Sequence, residues 1–170
     1  MNTDLYSNTK YSFDRDESKT IVINVPMTTG NNTFSVDLSE NITVDKHSDV
    51  YLDSLTTFNC KSSHNSEVDM GFILSIDQFE IKSYSNQETG IADISRAIFI
   101  PNDQNSSPPS EGSHIDTSKT HKGKKLNYIC SINPKNIHRI SGKITNIGNE
   151  TIFGGNGRFI AEFVIVGKKN

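Results

Sequence analysis

Tryptophan is absent from the 170 residues, alanine occurs 3 times, leucine 6 times and cysteine twice. Each shortage removes a class of protein. Scarce alanine and leucine leave too few strong helix formers for a bundle, a coiled coil or a doubly wound α/β enzyme. Cys60 and Cys130 are too few for a disulfide scaffold, and Cys130 alternates with Tyr128 and Ile132 as a core strand residue does. Both are expected to be reduced. No apolar run approaches the roughly 20 residues that span a bilayer, and Met1 to Ser18 is polar throughout, with neither the apolar stretch nor the cleavage site of a secretory leader. Neither a membrane span nor a leader is therefore expected.

What is present points to strands. The chain holds 20 Ile and 8 Val, and β-branched side chains, stiff at χ1, suit a pleated strand better than a helix. Ser, Thr and Asn supply 53 residues, the types that bond locally to backbone in turns and cover the wet side of a sheet. A chain of this length buries about 70% of its unfolded surface in one core. The patterning implies one domain over residues 19–170, preceded by a polar arm over 1–18.

Period-two alternation recurs between clusters of Gly, Pro, Asn and Ser. It predicts Lys19 to Val25, with Ile21, Ile23 and Val25 inward and a stop at Pro26, followed by a turn at Gly30-Asn31-Asn32. Thr33 to Leu38 sets Phe34, Val36 and Leu38 inward. After a short acidic connection, Asp49 to Phe58 sets Val50, Leu52, Ser54, Thr56 and Phe58 on one face, with Asp53 and Thr57 toward water. Gly71 to Tyr84 changes parity near Asp77-Gln78, which predicts a bulge or bend. Gly90 to Arg96 has the spacing of a single helical turn. Ala97 to Ile100, Leu126 to Ile132, Ile137 to Thr145 and Arg158 to Val166 complete the strands, with hairpin signals at Asn146 to Glu150 and Gly154-Gly155-Asn156-Gly157. Between them runs a long polar insertion at about 101–125, expected to be a functional or mobile loop. Replacing Gln104 to Lys122 by a short linker is expected to cost little. About eight strands with less than roughly 10% helix make a two-sheet sandwich or a barrel. The expected core includes Phe34, Val36, Val50, Leu52, Phe72, Leu74, Tyr128, Ile132, Phe159, Ala161 and Phe163.

No catalytic, metal or cofactor site is expected. A cupin-type metal cage needs closely spaced His and Glu, but His47, His64, His114, His121 and His138 are scattered, and only His114, Asp116 and His121 lie close in sequence. The Gly154 to Gly157 run is followed by a strand, so it reads as a tight turn rather than a phosphate cradle. Asp14, Asp16 and Glu17 lack the spacing of a calcium loop and read as a solvated acidic arm. The cluster His121-Lys122-Gly123-Lys124-Lys125, with Lys168-Lys169 at the terminus, has no interleaved aromatic for base stacking and reads as a solvated loop, with a subunit or phosphate contact as the alternative. The sequons at Asn31, Asn41, Asn105 and Asn149 are as many as chance supplies at this Asn, Ser and Thr content.

Charge is uneven: residues 1–116 carry 18 acids and 7 bases, residues 117–170 carry 2 acids and 10 bases. Such asymmetry can mark a basic nucleic-acid arm; the favoured reading is that the two parts interleave as neighbouring strands and neutralise each other.

Three stretches carry a family resemblance. FSVDLSENITVDKHSDVYLDSLTTF (Phe34 to Phe58), AIFIPND (Ala97 to Asp103) before a polar insertion, and INPKNIHRISGKITN with RFIAEFVIV near the C-terminus resemble the single jelly-roll penton and minor capsid proteins of large icosahedral double-stranded DNA viruses, including giant viruses, polinton-like viruses and virophages. The resemblance covers about residues 19–167. It implies a single jelly-roll β-sandwich of two antiparallel sheets in which early strands pair with late ones. It also implies a structural virion subunit, made in the host cell interior, whose partners are copies of itself in a pentamer and neighbouring major or minor capsid proteins. No enzyme activity, small-molecule substrate or specific nucleic acid belongs to that reading. Two rivals are a carbohydrate- or receptor-binding sandwich, disfavoured by the missing tryptophan and the inward phenylalanines, and a cupin-type enzyme, which lacks ligands.

Overall fold

The computed structural model describes residues 18–60, 71–84, 96–101 and 119–168, for 119–126 the backbone only. These residues form eight strands: β1 (Ser18–Met27), β2 (Thr33–Val44), β3 (Ser48–Cys60), β4 (Gly71–Ile76), β5 (Ile98–Pro101), β6 (Lys119–Ile132), β7 (Lys135–Asn146) and β8 (Phe153–Gly167). No described residue is helical. The strands make two four-stranded antiparallel sheets, the first in the order β1-β8-β3-β6 and the second β2-β7-β4-β5. Pairing is nested: β1 lies on β8, β2 on β7, β3 on β6 and β4 on β5. Contacts of β3 with β8 and of β4 with β7 complete the sheets. Every connection except that from β4 to β5 passes from one sheet to the other.

The core lies between the inner faces. Ile21, Ile23 and Val25 from β1, Leu55 from β3, Leu74 from β4, Ile140 and Ile144 from β7 and Phe159 and Phe163 from β8 are all at most 2% exposed. Edge-to-face aromatic contacts tie the layers, Phe34 to Phe159 at 5.0 Å and Phe79 to Phe163 at 5.2 Å. Such pairs add about 0.5–1.5 kcal/mol beyond the area they bury. Phe34, Val50, Leu52, Phe72, Leu74, Ile132, Phe159, Ala161 and Phe163 are buried as expected, and Val36 is partly buried against the same cluster.

Gly142 shows what the packing demands of one backbone position. It stands opposite Phe34 on one side and Ile76 on the other, and a Cβ there would lie 1.9 Å from the Ser75 carbonyl oxygen. Only glycine lets β4 and β7 approach this closely.

Several local expectations are corrected, each by a contact between strands. Pro26 does not end β1, which continues through it to Met27. β1 is an edge strand, where a missing N–H need not break a ladder. The acidic connection after Leu38 is mostly strand: β2 runs on to Val44, with a register shift between Asp37 and Ile42. On β3 the register shifts between Leu52 and Ser54 against both neighbours, leaving Asp53 as an extra residue facing β8. The inward parity therefore reverses: Leu55 and Thr57 are buried and Phe58 is 42% exposed. A second shift, between Val50 and Tyr51, makes Ile129 the extra residue on β6. Ile129 packs against the core and Tyr128, expected inside, is 58% exposed.

The parity change near Asp77-Gln78 is a bend, with β4 ending at Ile76 and Phe79 N–H donating to the Ile76 carbonyl at 3.1 Å. The turn at Asn146 to Glu150 exists, held by Glu150 N–H on Asn146 Oδ1 at 2.9 Å, but it joins strands of different sheets and makes no hairpin. Gly154 to Gly157 is no turn between strands either. It lies within β8 as a bulge, between the pairings Phe58 with Arg158 and Cys60 with Phe153. The insertion expected at 101–125 is bounded at both ends: Pro101 closes β5 and the chain from Lys119 onward belongs to β6. Replacing Gln104 to Lys122 would therefore cut into β6, whose Lys119 to Lys122 pair with Thr57 to Ser54. The helical turn expected at Gly90 to Arg96 lies outside the described residues except for Arg96, as do the arm 1–17 and the stretch 102–118.

Candidate interaction site

His47 Nδ1 lies 3.3 Å from Asn133 Oδ1, and His138 is exposed on β7. His64, His114 and Asp116 fall outside the described residues. Among the described residues no three His, Cys, Asp or Glu side chains gather as a metal site would require. Cys60 and Cys130 are buried and not joined in a disulfide, and burial pushes the Cys130 thiol up to about 11. A thiol so raised is protonated at neutral pH and is no nucleophile. The basic run His121 to Lys125 belongs to the backbone of β6, an edge strand of the first sheet among the described residues.

A cleft of about 630 Å³ opens on the outer side of the second sheet, floored by Ile73 and Ala97 and rimmed by Asp77, Lys82, Arg96 and Lys143. Its charges are of both signs. Lys143 is committed to Asn149 Oδ1 at 2.6 Å, and Asp77 accepts from Ser141 at 2.6 Å.

The more organised constellation lies on the outer face of the first sheet, where β3 meets β6. Asp49 stands opposite Ser131, and Tyr51 opposite Tyr128. The two rings meet edge to face, 5.9 Å apart at 73°. Tyr128 Oη lies 3.0 Å from Ser131 Oγ, which donates to Asp49 Oδ1 at 2.6 Å. Lys168, just past β8, donates to Ser131 Oγ at 3.2 Å and pairs with Asp49 Oδ1 at 3.0 Å. Its hydrogen bond to Asp49 raises the ammonium pKa, so Lys168 is a fixed cation and no general base. The chain Tyr128–Ser131–Asp49–Lys168 ties three strand ends together and holds an aromatic ring at the surface.

The sequence pattern points to none of these residues as a site. Parity with Cys130 and Ile132 places Tyr128 in the core, and nothing in the local sequence marks Ile129 as an extra residue. Lys168 reads only as part of a terminal basic pair. No protein-family model matches the chain, and no curated protein matches it.

Proposed function

We propose that this chain is a structural subunit of an icosahedral virus capsid, a single jelly-roll protein of the penton or minor capsid type that assembles as a closed ring. The observation that carries the reading is the nested pairing of β1 with β8, β2 with β7, β3 with β6 and β4 with β5. A long hairpin rolled once into two sheets has this order, and jelly rolls occur in capsid and lectin domains. The stretches that resemble penton and minor capsid proteins fall on β2 and β3, on β5, on β7 and on β8. The work of such a subunit is geometric. A ring closes through a heterologous interface, so two different surfaces of each copy must be complementary. The first sheet offers apolar surface for this use, with Val22, Phe58 and Ile160 exposed in the single chain. The acidic arm, the turn at 60–70 and the polar insertion are, by composition, the parts suited to neighbouring capsomers.

The test is the mass of the isolated chain in solution, together with its copy number and position in purified particles. A pentamer located at vertices is expected. Facet positions favour the minor capsid alternative, and a monomer absent from particles overturns the proposal. A carbohydrate- or receptor-binding module remains the second reading, favoured by one observation, the exposed ring of Tyr128.

A further inference from the structure

The outer face of the first sheet carries an aromatic residue where strand alternation would have buried it. Bulges re-aim side chains and concentrate beside functional sites, and the extra residue Ile129 turns Tyr128 from the core to solvent. The ring is then held. Its hydroxyl engages Ser131, Ser131 engages Asp49, and Asp49 engages Lys168, while the Tyr51 ring braces it from β3. Orientation settled before a ligand arrives lowers the ordering cost of binding. Among the described residues these bonds run through Oδ1 of Asp49, and the carboxylate's remaining lone pairs on Oδ2 can accept from a ligand hydroxyl. Lys168, 44% exposed at its side chain, supplies donors beside it.

From this arrangement we infer that Tyr128, Tyr51, Asp49, Ser131 and Lys168 form a binding site for a neutral hexopyranose, the terminal sugar of a glycan. A pyranose has one apolar face of C–H groups and a rim of hydroxyls. The Tyr128 ring offers an apolar surface for the first. Asp49 and Lys168 offer an acceptor and donors for the second. Their mutual pairing cancels charge at the site, which selects a neutral sugar over one bearing a carboxylate. The inference is independent of the capsid proposal, because a sugar site is compatible with a shell subunit and with a free binding module.

The experiment uses the full chain with lactose, maltose and mannobiose as neutral probes, sialyllactose as the acidic contrast and a single-stranded oligothymidylate as the nucleic-acid contrast. Saturation-transfer NMR is expected to show contact with at least one neutral sugar, with matching shifts of tyrosine ring resonances. Tyr128→Ala should weaken binding about tenfold or more, the scale of losing an aromatic contact. Tyr128→Phe keeps the ring and loses only the link to Ser131, so it should weaken binding less. Thermal unfolding checks each variant, and Asp49→Asn serves if Tyr128→Ala does not fold; it should weaken binding by several-fold. Absence of transfer to every neutral sugar at millimolar concentration overturns the inference. So does binding unchanged by Tyr128→Ala and Asp49→Asn, or binding confined to sialyllactose or to the oligonucleotide. None of these results bears on ring assembly, so a failure here is distinct from a failure of the capsid proposal.

Discussion

On the second sheet the outward side chains bond one another: Arg139 to Asp37, Ser141 to Asp77, Gln78 to Ser141 and Lys143 to Asn149. The first sheet leaves Val22, Phe58, Tyr128 and Ile160 in solvent, against Phe99 among the large apolar side chains of the second sheet's described strands. The inner faces do not differ in this way; both are aliphatic and aromatic and nearly dry. One core thus joins two sheets whose outer surfaces differ in degree, since Phe99 of the second is also exposed and Tyr128, Ser131, Asp49 and Lys168 bond one another on the first. Surface polar groups that satisfy each other need no partner. Under the ring proposal, Val22, Phe58 and Ile160 are the side chains that a neighbouring copy would cover.

The largest effects should come from the faces that are alike. Leu55 of the first sheet and Leu74 of the second are both fully buried, and Leu55→Ala and Leu74→Ala should each cost about 2–5 kcal/mol in denaturant unfolding. A large cost at one and little at the other would show that the sheets do not share a core. Next comes Thr57, buried at 0% exposure, whose Oγ1 has no hydrogen-bond partner among the described residues. Removing an unsatisfied buried hydroxyl while keeping its shape relieves a desolvation penalty. Thr57→Val should stabilise the chain by about 1–3 kcal/mol, read from the same titration, and a loss instead would mean that the hydroxyl is bonded.

A smaller effect separates the outer faces. Val22→Thr and Ile160→Thr should change the stability of the single chain by no more than about 0.5 kcal/mol, yet shift self-association toward monomer in sedimentation. Ser35→Lys on the second sheet should change neither. Equal sensitivity of the two faces would break the comparison.

The smallest effect belongs to Arg139. Its hydrogen bond and its charge hold the Asp37 carboxyl below the usual carboxylate value of 3.8. A carboxylate whose pKa is lowered by folding stabilises the native state above its unfolded value and loses that contribution as pH falls through the folded one. Both side chains are well exposed, so screening keeps the contribution slight. Arg139→Gln should lower the melting temperature a little at pH 7, and the gap should close as pH falls below the carboxylate range. A gap that widens in acid would exclude the pair as its cause.

Ion pairing also links the chain's acidic front to its basic back. Asp37 reaches Arg139 from β2 to β7, and Asp49 reaches Lys168 from β3 to the end of β8. Lys19 pairs with Asp45 within the front part. The uneven charge along the sequence becomes adjacent opposite charge once early strands lie beside late ones.

Strand class and most of the core were legible in the residues themselves, because alternation is a local property of period two and β-branched side chains report it directly. Ile21, Ile23 and Val25 or Phe159, Ala161 and Phe163 could be assigned inward from their own neighbours alone. Which strand lies beside which was not in that pattern, and neither was the place of an extra residue. A bulge exists only relative to a partner strand: Asp53 is surplus because Leu52 and Ser54 face consecutive residues of β8, and Ile129 because Val50 and Tyr51 face Cys130 and Tyr128. Each one-residue shift moves the side chains beyond it to the opposite face. Thr57 was thereby carried into the core, and Tyr128 was carried to the surface beside Asp49, Ser131 and Lys168. Local chemistry determined the sheets and their dry faces, and pairing between strands far apart in the chain decided the surface on which a site can form.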